Sequence, residues 1–490
     1  MDSAPIDDHE LQAAMTLLGS DVRLNRVEDM IMASANQPRF RNESERQPVS
    51  HNTLEVVADC RIDNADEVIE SIGAANPLSD SRLIAETWHR HNTNTADRLL
   101  GDFALAVFDR GQKSLFLARD PVGVRPLFYY ATPGRIAFAT TIEIILALPG
   151  VPRVIDETEV AANLINYLLP TGARTYYRGV CKLKPGHWLK VQDGALTTRR
   201  YWEPLRHDRH VGLTMEQAAE GLNAELVRSV RARLQTDQSI GSHISGGLDS
   251  SALTLLSEDL LRRRNQGLAA CYSWSPATQE QEALSRSDER QRIATVAEFL
   301  SAPIRYTSIT ADDIDAALNI NPGFASGTLL QMELKVLEYA RRDGIGVLMS
   351  GWGGDEAASF NGRGYLAGLI ASGQLRKALR AIKLRSTGNL RSALRITWGE
   401  AISPLVPRRL RYRLALQRMQ KFVPHLGKES LIAATQIRPE QAALPLTRPG
   451  VFQTQRALIC SGHLNERMED WYWLGRKSGV VHVYPLLDTR

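Results

Sequence analysis

Four cysteines in 490 residues (Cys60, Cys181, Cys271 and Cys460) lie far apart. Such scatter offers neither a metal-binding spacing nor a disulfide framework, and it suits a reducing cytoplasm. No uninterrupted apolar run approaches the ~18 residues of a membrane span, so no membrane partner is expected. The N-terminus (Met1-Asp2-Ser3-Ala4-Pro5-Ile6-Asp7-Asp8) is acidic and carries no apolar secretion core. Acids themselves are scarce in one stretch: between Arg376 and Lys421, thirteen Lys or Arg accompany a single Glu400. That stretch is either a solvated helical face or a docking surface for an acidic peptide, nucleotide or partner protein. No aromatic platform or reading motif accompanies it, which argues against nucleic acid. Repeats and low-complexity tracts are also missing. What remains, 43% apolar and 23% charged residues with a net charge of +4, is the composition of a globular protein. The length points to two or three domains.

Against this background one heptapeptide stands out, Ser245-Gly246-Gly247-Leu248-Asp249-Ser250-Ser251. It follows a strand-like run ending at Ile244 and precedes a helix-like run from Ala252 to Leu261. Two glycines allow a tight turn and a close ligand approach. The turn directs N–H groups outward, and the helix behind it adds its dipole, a combination that favours a polyphosphate. Ser245, Ser250 and Ser251 bring hydroxyl donors. Asp249 repels a phosphate unless Mg²⁺ lies between them. The alternative is an ordinary strand-turn-helix of small residues. The Gly-Lys-Ser/Thr ending of a Walker loop is absent.

The first ~200 residues read as strands and turns with a few helices, near 10–18 and 81–92. Phe103–Phe108 and Ser114–Ala118, joined by an Asp-Arg-Gly-Gln turn, form a hairpin signal. Residues 135–139 and 187–191 add strands, and 201–211 reads as a linker. From Thr214 strands and helices alternate: helix 215–233, strand 239–245, helix 250–264, strand 268–274, helix 286–300, strand 304–308, helices 311–318 and 328–343, strand 345–350. This alternation predicts a parallel sheet with helices on both faces. Ligands then sit beyond the carboxyl ends of the strands, where Ser245, Ser273 to Pro276 and Ser350 to Glu356 fall.

Ser350-Gly351-Trp352-Gly353-Gly354-Asp355-Glu356 ends one such strand. Its glycines permit close backbone approach, and Asp355 with Asp249 can hold Mg²⁺ against phosphates from two sides. Ser287-Asp288-Glu289-Arg290 either caps a helix or touches metal or nucleotide. Tyr272-Ser273-Trp274-Ser275-Pro276 either holds adenine or packs Trp274 into the core. His463, Glu466, Arg467 and Asp470 share a helix and read as a solvated or internally paired face, as do Glu333 and Lys335.

The heptapeptide resembles the pyrophosphate loop of ATP pyrophosphatases, and the elements together resemble the asparagine synthetase family across nearly the whole chain. Residues 245–251, 351–356 and Tyr484-Pro485-Leu486-Leu487-Asp488 carry the likeness in the second half. Leu100–Asp109, Leu117–Leu127 and Leu183–His187 carry it in the first. The resemblance implies two domains of α/β and α+β class. One is an N-terminal Ntn-hydrolase, glutaminase-like αββα sandwich over 1–205. The other is a C-terminal Rossmann-like parallel-sheet ATP pyrophosphatase domain over 214–490. It implies ATP bound by Ser245, Gly246, Gly247, Leu248, Asp249, Ser250, Ser251, Ser273, Gly351, Trp352 and Gly353. Asp249 and Asp355 would be the catalytic residues and the Mg²⁺ ligands.

Three departures narrow the reading. A glutaminase of this type needs a Cys after the initiator Met, where this chain has Asp2, and an Asn-Gly oxyanion hole, where it has Asp59-Cys60. Trp352 stands where β-lactam formers carry Tyr and asparagine synthetases carry Glu, and Ala357 to Thr397 contains no acid. The family's catalytic Lys would lie past the last motif, but the chain stops at Arg490. It is therefore expected either to end early or to fill that role differently. A Trp in this loop matches the lasso peptide cyclases. The expected reaction is AMP-forming closure of an isopeptide macrolactam. A precursor peptide is the substrate, and a leader-peptide protease is a partner. An ammonia-using asparagine synthetase, a β-lactam synthetase-like ligase and a non-catalytic scaffold are the alternatives.

Overall fold

The computed structural model describes residues 8–16, 22–35, 47–74, 78–157, 159–160, 172–204, 212–275, 289–319, 330–407, 409–411, 447–460 and 463–490. Asp2, Pro276, Ser287, Asp288, most of the expected linker at 205–211 and the basic stretch beyond Arg411 lie outside them.

Strands β1 (Val22–Val27) and β2 (Met30–Ala35) pair as a ribbon. They are followed by β3 (Val49–His51), β4 (Leu54–Ile62), β5 (Gly101–Asp109), β6 (Ser114–Arg119), β7 (Phe128–Thr132), β8 (Arg135–Ala139), β9 (Val180–Lys182), β10 (His187–Gln192) and β11 (Ala195–Arg200). A six-stranded sheet runs β11-β10-β6-β5-β4-β3, and a three-stranded one runs β8-β7-β9. The expected β5–β6 hairpin forms, with Phe108 opposite Leu115.

From Asp102 to Asp109 every residue of β5 is buried, so the strand is covered on both faces and reads as an unbroken apolar run. Helices α1 (Asp8–Met15), α2 (Ala65–Ile72), α3 (Asp80–His91) and α4 (Ile142–Ala147) form the outer layers. Phe103, Leu105 and Val107 pack under α2 and α3 against Leu83, Ile84 and Trp88. The alternate residues Ala104, Ala106 and Phe108 meet Met32, Leu127 and Ile136 of the smaller sheets. Those sheets bury their other face under α1 and α4. The result is the αββα order of layers.

The second half contains α5 (Met215–Arg233), β12 (Ser239–His243), α6 (Leu248–Arg262), β13 (Ala270–Ser273), α7 (Arg290–Ala297), β14 (Ile304–Tyr306), α8 (Ala311–Asn319), α9 (Leu330–Arg342), β15 (Ile345–Met349) and β16 (Val481–Val483). The five strands are parallel, in the order β14-β13-β12-β15-β16. Chain order reverses at β12, which opens a crevice beyond the strands' carboxyl ends. Helices α10 (Tyr365–Ala371), α11 (Leu375–Ser386), α12 (Leu390–Ile396), α13 (Val451–Cys460) and α14 (His463–Ser478) complete the described chain.

Buried charge ties the two halves together. Arg119, fully buried on β6, donates to the carbonyls of Gly123, Arg125 and Leu183 and to Glu469 Oε1 on α14, each at 2.8 to 2.9 Å. Lys182 reaches the other Glu469 oxygen at 3.3 Å. Arg61, Asp63 and Asp102 of the first half meet Arg233 and Asp488 of the second, with Arg233 donating to Asp488 at 2.8 Å. On the face of α14 expected to be solvated or internally paired, Asp470 is buried and Glu466 and Arg467 are half-buried. Tyr201, assigned to the linker, packs on the first core instead, and its hydroxyl donates to the Arg119 carbonyl at 2.8 Å. A phenol ring with its one donor satisfied is well suited to burial.

Burial pushes the Glu469 carboxyl up, but Lys182 and Arg119 pull it further down, so it sits below its ordinary value. Asp488 is likewise depressed: burial raises it, and Arg490 and Arg233 more than reverse that. A depressed carboxyl contributes stability that is complete above the ordinary carboxylate range and is lost as pH falls below it. Urea unfolding should therefore show stability falling on acidification through that range. Glu469→Ala, which strands a buried Arg119, should cost ~3–5 kcal/mol near neutral pH. A loss below about 1 kcal/mol would contradict the interface described.

Candidate nucleotide-binding site

Two glycine-rich turns meet at the carboxyl edge of the parallel sheet. The first leaves β12 and enters α6. Gly246 has φ +58°, and a Cβ there would lie 2.6 Å from the Arg292 Cβ of α7, so only glycine lets the turn pass. Ser245 Oγ and Ser250 Oγ are 2.8 Å apart, and Ser250 Oγ accepts from the Ser245 N–H at 3.1 Å. Helix α6 begins at Leu248, earlier than expected, with Gly247 as its N-cap and no side-chain cap bond. Asp249 and Ser250 therefore lie where helix N–H groups lack intrahelical partners and the dipole is positive, whereas the Ser251 N–H already donates to the Gly247 carbonyl at 3.2 Å. Ser251 Oγ is buried and has no partner among the described residues. Leu248 is 90% exposed at the lip of the crevice.

The second turn leaves β15. Ser350 donates its N–H to the Val483 carbonyl of β16 at 2.9 Å, and its Oγ accepts from the Trp352 N–H at 3.2 Å. Gly351 faces the first turn of α6: a Cβ there would sit 3.1 Å from the Ser250 nitrogen. Gly353 has φ +86°, and Leu487 fills the space its side chain would take. A Cβ on Gly354 would run into Asp249 Oδ2 and Leu486. The two turns thus interlock with Asp249 at the seam.

Asp249 is half-buried. Its carboxyl is held above the ordinary value first by burial and then by the charges of Asp355 and Glu356, against a hydrogen bond from Ser359. Asp355 is exposed and Glu356 buried. Three carboxylates gathered beside an anion-seeking helix start need a hard dication to coexist with phosphate, and oxygen donors of this kind fit Mg²⁺.

The structure brings Ser245, Gly246, Gly247, Leu248, Asp249, Ser250, Ser251, Gly351, Trp352, Gly353 and Asp355 to this one edge. Ser273 closes β13 on the same edge, but it is buried and engaged: its Oγ accepts from the Ser275 N–H at 3.1 Å, and its carbonyl accepts from Thr307 Oγ1 at 2.9 Å. Trp274 is half-buried against the core, in edge contact with Trp471 at 5.8 Å between ring centroids. Glu289 makes no side-chain cap bond at the start of α7. Trp352 is half-buried, and the Arg467 guanidinium of α14 stacks 3.7 Å over its ring. Helix periodicity placed Arg467 on a solvated or paired face but could not supply this partner, since the Trp352 ring lies more than a hundred positions away. Asp59, at the position compared above with an oxyanion hole, accepts from Tyr472 Oη at 2.5 Å and pairs with Arg125 at 3.6 Å.

Residues 35–202 match the family model for a glutamine amidotransferase domain, and residues 221–448 match that for asparagine synthase. Amidase chyE of Penicillium rubens is 24% identical over 289 residues, 57% of this chain and 42% of that protein. Glutamine-hydrolysing asparagine synthetase 3 of Bacillus subtilis is 27% identical over 195 residues, 40% of this chain and 31% of that one. A putative glutamine-hydrolysing asparagine synthetase of Mycobacterium tuberculosis is 28% identical over 286 residues, covering 56% and 42%. The chain spans less than half the length of these curated relatives. Among solved structures, glutamine phosphoribosylpyrophosphate amidotransferase from B. subtilis aligns with a TM-score of 0.23 at 14% identity, over 53% of this chain and 63% of that one. With an amidotransferase-type region followed by a synthase-type region, the chain belongs to the asparagine synthetase-like family.

Proposed function

We propose that this protein is an ATP-dependent, AMP-forming amide ligase, and within that class a lasso peptide cyclase. The observation that carries the ligase reading is the interlocked pair of turns, in which a glycine backbone packs directly on Asp249 at a helix start. In the reaction, an Asp or Glu side-chain carboxylate of a precursor peptide attacks the α-phosphorus of ATP. The bond from that phosphorus to the bridging oxygen breaks, and pyrophosphate leaves. The peptide's N-terminal amine then attacks the acyl carbon, the acyl–oxygen bond breaks, AMP departs and the amine loses a proton. The N–H groups around Gly246 and Gly247 and the hydroxyls of Ser245, Ser250 and Ser251 hold the departing diphosphate, which is electrostatic work. Asp249 and Asp355 would hold Mg²⁺, which supplies positive charge to the diphosphate. Because both reactants belong to one peptide, orientation alone can supply effective molarities of ~10⁵ M or more.

Two features favour cyclisation over ammonia transfer. The Asp59 side chain is engaged by Tyr472 and Arg125 and offers acceptor oxygens where an oxyanion hole needs donors, which argues against ammonia drawn from glutamine. Trp352, covered by Arg467, stands where an ammonia- or β-lactam-forming relative carries a Glu or Tyr. The amine's ordinary pKa of ~7.7–8.0 reduces the demand for a strong base. A precursor peptide and a leader-peptide protease acting in the cytoplasm belong to this reading. Among the described residues no helix is long and apolar enough to cross a membrane. A second reading, an asparagine synthetase, is favoured by the names of several relatives, which specify glutamine hydrolysis; with Asp59 where an oxyanion hole is needed, this chain would have to take free ammonia instead.

With the matching precursor and ATP, mass spectrometry should show loss of one water from the peptide. Asp249→Ala should slow that loss by ~10²–10³-fold, the range for removing one transition-state electrostatic contact. Pyrophosphate release with aspartate and ammonia, but not with precursor, would establish the second reading. Gly354→Ala, which displaces Asp249, should cost about 100-fold with native circular dichroism. An unchanged rate in that variant would remove the interlock from the mechanism.

A further inference from the structure

A second cluster includes the strand that feeds the first turn and shares no residue with the three acids. His243, the last residue of β12, is two positions before Ser245. His482 sits in the middle of β16, and Glu333 in α9. One donor atom from each lies within 4.8 Å of the other two. The side chains of Glu333 and His482 are 0% and 2% exposed, and that of His243 is 12% exposed. His482 Nε2 lies 2.6 Å from Glu333 Oε1. His243 Nε2 approaches the same oxygen to 3.2 Å but off the line of a hydrogen bond. Glu333 Oε2 and His482 Nδ1 are buried with no partner among the described residues. The surroundings are aromatic: Trp471 lies 5.5 Å from His243 and 5.2 Å from His482, and Trp274 lies 6.1 Å from His243, between ring centroids.

Shared protons account for this arrangement incompletely. A carboxylate buried in an aromatic shell needs its oxygens satisfied, yet both imidazoles crowd one oxygen and leave the other bare. An imidazole nitrogen aimed off the hydrogen-bond line suits a lone pair directed at a cation.

We propose that His243, Glu333 and His482 form a binding site for a first-row divalent cation of the zinc class. Two imidazoles and a carboxylate are donors for zinc and its neighbours, whereas Mg²⁺ selects oxygen. Ligand distances of ~2.0–2.2 Å in a tetrahedral shell put two donors roughly 3.3 Å apart, so the His482–Glu333 contact opens from its 2.6 Å as the cation enters. Binding through Nε2 takes each imidazole in its neutral form with the remaining proton on Nδ1, so any proton held on Nε2 moves to Nδ1 or to solvent as the cation enters. The three ligands come from three elements, so the cation would bolt β12, β16 and α9 together where β12 feeds the phosphate turn. The site is independent of the ligase reading.

The test uses the full chain without a histidine tag, stripped with chelator and then titrated with Zn²⁺ alone. About one equivalent should bind, and Co²⁺ in its place should give a visible d–d band. Loss of an outer-shell partner already costs ~10–100-fold in affinity, so Glu333→Gln or His482→Gln should weaken binding by more than about 100-fold. Glu333→Gln is nearly isosteric, and circular dichroism reports whether it folds. If both variants unfold, stoichiometry and the Co²⁺ band of the parent chain decide. Less than about 0.1 equivalent on the parent chain, or an affinity unmoved by a folded Glu333→Gln variant, overturns the proposal.

Discussion

The Asp249 carboxylate is pressed against the backbone of Gly354. A Cβ at 354 would displace the side chains of both Asp249 and Leu486. This close approach brings a helix start, a row of serine hydroxyls and three carboxylates to one sheet edge. It also has an electrostatic cost. Burial and neighbouring charge hold Asp249 above its ordinary pKa, a strain that a hard cation bound with a polyphosphate would relieve. The site is poorly satisfied as it stands, as expected of a surface shaped for a charged ligand rather than for stability.

The buried ion network between the halves gives that edge its rigidity. Asp488 follows the last strand and is pinned by Arg233 and Arg490. Its neighbours Leu486 and Leu487 are the side chains on which Gly354 and Gly353 rest. Arg119 and Glu469 hold α14 against the αββα half, and α14 in turn presents Arg467 to Trp352. The amidotransferase-type region thus has a physical role: it supports the helix that covers the glycine-rich turn after β15. Asp59 contributes to this by accepting from Tyr472.

Legibility in the sequence followed the range of each interaction. The β5–β6 hairpin was readable because two apolar runs flank a polar turn. The alternation of β12 to β15 with helices was readable from period alone. Both glycine turns were visible because close backbone approach demands glycine wherever the chain lies. The start of α6 was misplaced by two residues because Leu248 and Asp249 carry no capping signal. The burial of Asp470 and of Glu469 on α14 was not legible, because the partners of that helix, such as Arg119 and Lys182 at Glu469, lie hundreds of positions away. Glu333 looked ordinary for the same reason: His243 and His482 converge on it only once the sheet is assembled.

The most direct test of the central claim is a crystal structure of the chain with Mg²⁺ and an ATP analogue whose α–β bridge cannot be cleaved. The account predicts the β- and γ-phosphates against the N–H groups of Gly246 and Gly247 and the hydroxyls of Ser245, Ser250 and Ser251. The cation should lie between Asp249 and Asp355. A nucleotide bound elsewhere, with that turn facing only water, would contradict it.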